Sequence, residues 1–284
     1  MKAVRLIECP RDAMQGMHDF IPTDHKVAYV NKLLRVGFSR IDVGSFVSPK
    51  AIPQMRDSGE VIRALDLSDT ASKLSVIVAN RRGAHDAVNY DEVDMLGYPF
   101  SISETFQRRN TNSSIEESLQ RVADIQAIAL KYEKELLIYV SMAFGNPYGD
   151  PWNVEIAYDF IQQLISMGIT RFSLSDTIGV SSPDSISYLF SNLIPHFPDI
   201  VFNAHLHTTP DKWEEKVSAA YASGCRSFDG AIKGYGGCPM ATDKLTGNMP
   251  SEKMVAYFQR EGIPCGVANQ RFREAINASS KLFL

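Results

Sequence analysis

Residues 200–207 read IVFNAHLH. An apolar start, Ile200-Val201-Phe202, runs into His205 and His207, two positions apart. Side chains at i and i+2 of an extended strand point to one face. The two imidazoles therefore face one way and Leu206 the other. Two readings fit this pattern: half of a metal site, or two polar residues at an exposed strand end. The rest of the chain has to choose between them.

The stretch is one of eight β-rich runs, at 3–9, 40–46, 73–79, 92–100, 135–143, 169–176, 200–207 and 225–232. Between them lie segments of helical period at 24–36, 114–131, 154–167, 182–193, 212–222 and 252–260, with a less regular pattern at 49–70 and 80–91. Ser114-Ile115-Glu116-Glu117 is a capping-box start, and Gly37, Gly168, Gly224 and Gly262 stand where helix C-termini favour glycine. Strands alternating with helices argue for parallel βαβ units. Eight such units predict an α/β fold, a (β/α)8 TIM barrel, as a single catalytic domain over 1–284. An extra C-terminal helix is expected at 269–284. A doubly wound open sheet is the alternative.

The chain has 284 residues, 44% hydrophobic and 22% charged, with a formal net charge of −4. This is ordinary globular composition. Mild acidity points to neither nucleic acid nor a membrane surface as partner, and no run approaches the roughly 20 apolar residues that span a bilayer. The start, MKAVRLIECPRD, soon turns charged, so no signal peptide is expected. Cys9, Cys225, Cys238 and Cys265 form no CxxC pair and are expected to be reduced thiols of a cytoplasmic protein. The glycosylation sequons at Asn112 and Asn277 are then chance matches.

A barrel carries its site at the C-terminal ends of its strands, and polar residues gather there. Arg11 and Asp12 follow the first run, Asp42 lies late in the second, and Arg108 and Arg109 follow the fourth. Asp176 ends the sixth, and Gly236-Gly237-Cys238-Pro239 follows the eighth. Two same-facing imidazoles plus one carboxylate, with Asp12 the candidate, make a divalent-ion site for Mg2+, Mn2+ or Zn2+. The bland alternative is a pair of histidines that cap the strand by hydrogen bonds. A thiol in a glycine-flanked loop stiffened by proline can exchange a proton, or it is a small half-buried residue without chemistry. Arg11 offers a planar fork of donors to a carbonyl oxygen, or a salt bridge to Asp12. Asp176 reads as a base, a support for the metal, or the N-cap of the next helix. Arg108 and Arg109 suit a phosphate or carboxylate, or form a solvated charge pair.

Taken in order, ECPRDAMQ (8–15), SFVSPKAIPQM (45–55), NTNSSIEES (110–118), SDTIGV (175–180), HLH (205–207), GGCP (236–239) and GN (247–248) resemble the motifs of the 3-hydroxy-3-methylglutaryl-CoA lyase family. The resemblance runs along nearly the whole chain. It implies a divalent-metal-dependent lyase that cleaves a C–C bond of 3-hydroxy-3-methylglutaryl-CoA to acetyl-CoA and acetoacetate, in a homodimer. By position it implies Asp12, His205, His207 and Asn248 as metal ligands. Arg11 matches the arginine that polarises the thioester carbonyl, and Cys238 the thiol that protonates the acetyl-CoA enolate. Asp176 and Glu252 match acidic residues needed for activity. Gln15, Asp42 and Ser45 fall on the substrate side, with Arg108 and Arg109 as further substrate-binding candidates.

Departures accompany the resemblance, among them Pro210-Asp211 in place of a polar-Gly pair and a Cys238-to-Asn248 loop one residue longer than is common. Ala13-Met14 replaces Gly-Leu, Asp42 replaces a glutamate, Thr208 replaces the aspartate that follows HxH, and Asn146 stands where the family has a cysteine. They widen the expected substrate to related 3-hydroxyglutaryl-type thioesters. A Claisen-type acyl-CoA/2-oxo acid synthase of the same barrel group is one alternative, and a non-catalytic barrel that binds a ligand is another.

Overall fold

The structure, a computed structural model, describes residues 2–237 and 246–283. All eight β-rich runs are strands: β1 (Arg5–Glu8), β2 (Arg40–Ser45), β3 (Lys73–Ile77), β4 (Met95–Ser101), β5 (Glu135–Ser141), β6 (Arg171–Asp176), β7 (Val201–Thr208) and β8 (Ser227–Gly230). Each pairs in parallel with its neighbours in sequence, β1 pairs with β8, and β6 with β7, so the sheet closes into the expected TIM barrel. The open-sheet alternative is thereby excluded.

The helices are α1 (Pro10–Gln15), α2 (Thr23–Leu34), α3 (Ser58–Arg63), α4 (Arg81–Ala87), α5 (Glu104–Thr111), α6 (Ile115–Lys131), α7 (Val154–Ser166), α8 (Pro183–His196), α9 (Trp213–Ala222), α10 (Ser251–Arg260) and α11 (Asn269–Leu282). In α6 the Ser114 side chain accepts from Glu117 N (3.0 Å) and Glu117 accepts from Ser114 N (2.8 Å), the reciprocal capping box. Its apolar stripe, Val122, Ile125 and Ile128, is buried against the barrel. Each such side chain contributes about 1.5–3 kcal/mol. The turn after α2 requires glycine: Gly37 has φ +97°, and a Cβ there would lie 2.4 Å from the Gly266 carbonyl oxygen. The C-terminal helix α11 packs on α2 and its loop, with Phe272 edge-on to Phe38 (centroids 5.8 Å).

Two features differ from the sequence expectation. Arg11 and Asp12 do not sit in a loop; they lie in α1, which Pro10 opens at a position where its missing N–H costs nothing. A ninth strand, β9 (Gly247–Asn248), runs antiparallel to the end of β7. The 49–70 segment resolves into a single 3-10 turn (Pro53–Met55) followed by α3.

Glu8 ties the barrel closure to the loops above it. It is fully buried at the end of β1, where its carboxyl accepts from Ile232 N (2.8 Å) and from Ser251 Oγ (2.5 Å). Burial pushes its pKa up to about 8 against the pull of these two bonds. A carboxyl raised in the folded state contributes stability that is complete below the unfolded pKa and is lost as pH rises through the folded one. Wild-type stability is therefore expected to fall between about pH 4.5 and pH 8 with a contribution of up to about 1.4 kcal/mol per pH unit from this group. Glu8→Gln, which cannot ionise, should flatten that slope in urea melts at pH 5, 6.5 and 8; an unchanged slope would assign the pH dependence elsewhere.

Candidate active site

On β7 the period of two places His205 and His207 on the inner face, while Leu206 turns outward and is buried under the helices. The two Nε2 atoms stand 3.3 Å apart. His205 Nδ1 bonds Asp229 Oδ2 at 2.9 Å, and Asp229 is fixed from the other side by Arg40 at 3.0 Å and by Ser173 Oγ at 3.1 Å. With its Nδ1 proton directed at Asp229, His205 presents Nε2 to the interior. Burial disfavours a charged imidazole, yet the bond and charge of Asp229, with Asp12, outweigh it and set His205 above the ordinary value. Among the described residues, His207 Nδ1 has no such partner. Burial, and then the charge of His205, push it down to about 4.

Asp12 faces this pair from α1. One ligand atom each from Asp12, His205 and His207 lies within 4.8 Å of the others. Its Oδ1 accepts from Arg11 (3.2 Å) and from Gln15, whereas the buried Oδ2 has no hydrogen bond among the described residues. Burial would raise the Asp12 pKa, but Arg11 and the two histidines outweigh it and hold the carboxyl below its ordinary value. Arg11 is clamped by Asp42, Nε to Oδ2 at 3.0 Å, and donates to Gln15 Oε1 at 2.9 Å. Gly236 itself lies tight against this group. It has φ +91°, and a Cβ there would lie 2.5 Å from the Asp12 carbonyl oxygen and 2.9 Å from Asn248 Nδ2.

Asn248 on β9 pairs with His207 across the antiparallel bridge. Its Nδ2 donates to Tyr235 O at 2.8 Å. Two nitrogens that share one ion at ~2.1 Å each lie about 3.0–3.5 Å apart, and the imidazole pair meets this. Asp12, beside them, can supply the anionic oxygen. The residues present therefore fit a divalent ion with mixed nitrogen and oxygen ligands. A second grouping, Cys9, His205 and Asp229, fits less well. His205 Nδ1 is already bonded there, and burial keeps the Cys9 thiol protonated by raising its pKa well above the usual value.

The site opens into a cavity at the C-terminal ends of the strands, with Val47, Ile52, Ile77 and Phe106 as apolar walls and Gln15, Asn110, Thr111, Ser175 and Thr177 as polar ones. Of the residues read from sequence, Arg11, Asp12, Gln15, His205 and His207 line it. Asp42 stands behind Arg11, outside the lining. Ser45 caps its own turn, accepting from Val47 N at 3.2 Å. Arg108 is an exposed partner of Glu104 (2.7 Å), and Arg109 lies over the Tyr148 ring at 5.2 Å; the same helix sends Asn110 and Thr111 to the cavity instead. Asp176 is in register with Leu206 and, like it, points away from the cavity, toward Lys216 at 2.8 Å and Ser181. It is not the N-cap of α8, a role taken by Ser182. Glu252 accepts from Lys233 N at 2.8 Å and so holds the left-handed Lys233 turn (φ +62°) that leads toward the thiol loop. Cys238 lies outside the described residues.

Asp229, Arg40, Tyr139 and Lys216 escaped the sequence reading. Tyr139 lines the cavity, edge-on to His205 with ring centroids 5.4 Å apart. Asp229 was within reach, because it sits in the eighth run at the level of the inward Ile7 on β1. Lys216 gave no signal, since a lysine on a helix reads as solvated.

With this geometry in place, comparison with known proteins is direct. A protein-family model described as HMGL-like matches residues 4–278. The mouse mitochondrial hydroxymethylglutaryl-CoA lyase is 32% identical over 277 residues, 96% of this chain and 84% of that protein. The hydroxymethylglutaryl-CoA lyase of Bacillus subtilis is 31% identical over 94% of this chain and 88% of its own. The crystal structure of the HMG-CoA lyase from Brucella melitensis superposes with a TM-score of 0.91 at 30% identity, covering 99% of both chains. The barrel, the motif order and these matches along the full length agree: the chain belongs to the HMGL-like family.

Proposed function

We propose that this protein is a divalent-metal-dependent carbon–carbon lyase that cleaves 3-hydroxy-3-methylglutaryl-CoA, or a related 3-hydroxyglutaryl-type thioester, to acetyl-CoA and the 3-oxo acid. One observation carries this reading: Asp12, His205 and His207 converge with Arg11 on a single cavity. The names of the relatives support it, as does the solved structure of an Acinetobacter HMG-CoA lyase in complex with coenzyme A and 3-methylmalate, 29% identical over 99% of this chain. The same reading takes Mg2+ or Mn2+ as the ion, with Zn2+ as the alternative, and a homodimer in the cytoplasm, with 1–284 as one catalytic domain. No helix among the described residues is long and apolar enough to cross a membrane.

A bound divalent ion would supply Lewis-acid polarisation of the tertiary hydroxyl and a carboxylate oxygen of the substrate, with Asp12, His205, His207 and Asn248 to hold it. The hydroxyl proton passes to a base, the bond to the thioester α-carbon breaks, and its electron pair moves onto the thioester oxygen. Arg11, fixed by Asp42, would stabilise that charge, a contact of a kind worth about 3–4 kcal/mol of barrier. Cys238 then returns a proton to the α-carbon, which completes acetyl-CoA.

Purified protein with Mg2+ or Mn2+ should form acetoacetate and acetyl-CoA from 3-hydroxy-3-methylglutaryl-CoA, lose activity in EDTA and regain it on metal addition. Absence of a 3-oxo acid from every 3-hydroxyglutaryl thioester tried would sink the lyase reading. Cys238→Ala should lower kcat by about 10²–10⁴, the range of a general acid, with Mn2+ binding intact. Asp229→Asn removes the negative charge that orients His205 and turns one acceptor oxygen into a donor, and should weaken Mn2+ binding about 10–100-fold, measured by calorimetry; wild-type affinity would deny Asp229 that role.

A further inference from the structure

Lys216 lies in α9 with its side chain 1% exposed. A buried ammonium is tolerated only when its three protons find acceptors. Here Nζ donates to Asp176 Oδ2 at 2.8 Å, to the His207 carbonyl oxygen at 2.8 Å and to the Gly179 carbonyl oxygen at 3.1 Å. The acceptors belong to the end of β6, to a presumed metal ligand on β7, and to the loop after β6. The β6–β7 ladder stops at Asp176 and Leu206, one residue short of His207. From there the Lys216 ammonium continues the tie.

The same ammonium reaches toward the other side of the site. Gly179 has φ +73°, and a Cβ on it would lie 2.6 Å from the Thr246 side chain, so the loop and Thr246 are in close contact. Thr246 Oγ1 donates to Ile178 O at 3.4 Å and directly precedes β9, which carries Asn248. One cation therefore braces the main chain of His207 and the loop against which the strand of Asn248 packs.

We propose that Lys216 is a positioning residue of the metal site, acting through the His207 main chain and the Gly179 loop. The proposal rests on the metal-dependent reading above. It differs from a simpler role in which Lys216 only neutralises the buried Asp176.

The two roles separate in a Mn2+ titration followed by electron paramagnetic resonance, without substrate, on wild type, K216M and the double variant D176N/K216M. A circular-dichroism melt confirms folding of each. Positioning predicts about tenfold or greater weakening of Mn2+ binding in K216M, and the same weakening in the double variant, since both lack the ammonium that ties the His207 carbonyl to the Gly179 loop. Neutralisation predicts recovery of wild-type affinity in the double variant, and that result overturns the proposal. Should K216M fail to fold, the double variant, free of the unpaired buried charge, decides alone. Wild-type cleavage assays run in parallel. A wild type that binds Mn2+ but cleaves no 3-hydroxyglutaryl thioester removes the lyase reading and leaves the positioning result standing; a wild type that takes up no Mn2+ removes both.

Discussion

A carboxylate sealed from water must be met by donors, and Asp229 is the buried charge on which this site depends. It is 3% exposed, yet Arg40 from β2, His205 from β7 and Ser173 from β6 all reach it from their strands, while Asp229 itself stands on β8. Burial alone would raise its pKa; Arg40 and His205 outweigh that and hold it below the ordinary carboxylate value. Four strands are thus committed to one register. A slip of one residue in β7 would turn both imidazoles out of the barrel and leave Asp229 short of a partner. Barrel closure and the geometry of the histidine pair are a single arrangement, enforced by the cost of an unmet buried charge.

The period of two also divides labour across each strand. On β7 the inward positions carry His205 and His207, while the outward Leu206 packs under the helices. On β6 the inward Ser175 faces the cavity and the outward Asp176 meets α9. The cavity-lining side chains thus share one face, and the charges on the other face fix strand ends and loops. Glu8 and Glu252 do the same on the far side, bonding Ile232 N and Lys233 N at the root of the thiol loop. An acidic residue matched to a functional position need not touch substrate to matter.

This division explains how far the sequence could be read. Strand periodicity and alternation with helices are local properties, so all eight strands and the shared face of the two histidines were legible. The helix α1 was not, because six residues make less than two turns and carry no period. The bridge of β9 to β7 was not, because two residues hold no pattern and their pairing depends on the closed barrel. Asp176 was assigned to the site by its place at a strand end, but its outward direction follows from register with Leu206, which only the assembled sheet fixes. Arg108 and Arg109 read as anion binders by charge, whereas the turn of α5 gives Asn110 and Thr111 to the cavity.

The same geometry decides which departures from the family can reach a substrate. Thr208 follows His207 on the strand and therefore turns outward; its hydroxyl donates to its own chain at Thr209 O (2.9 Å), so it is poorly placed to select an acyl group. Asn146 is committed inside its loop, donating to Asp150 O (2.9 Å) and accepting from Tyr148 N and Asp150 N. Asp150 in turn fastens that loop to Ser103 and Thr105 at the start of α5. A change there acts by moving the helix that carries Asn110 and Thr111. Asp42 is the departure nearest the chemistry. Arg11 Nε and Nη2 both bond its Oδ2 alone, while its buried Oδ1 has no partner among the described residues. A carboxylate that grips with one oxygen fixes the position of the guanidinium but constrains its tilt less than a bidentate fork would. What latitude the Arg11 guanidinium has therefore resides in Asp42, behind the arginine, in a residue that does not itself line the cavity.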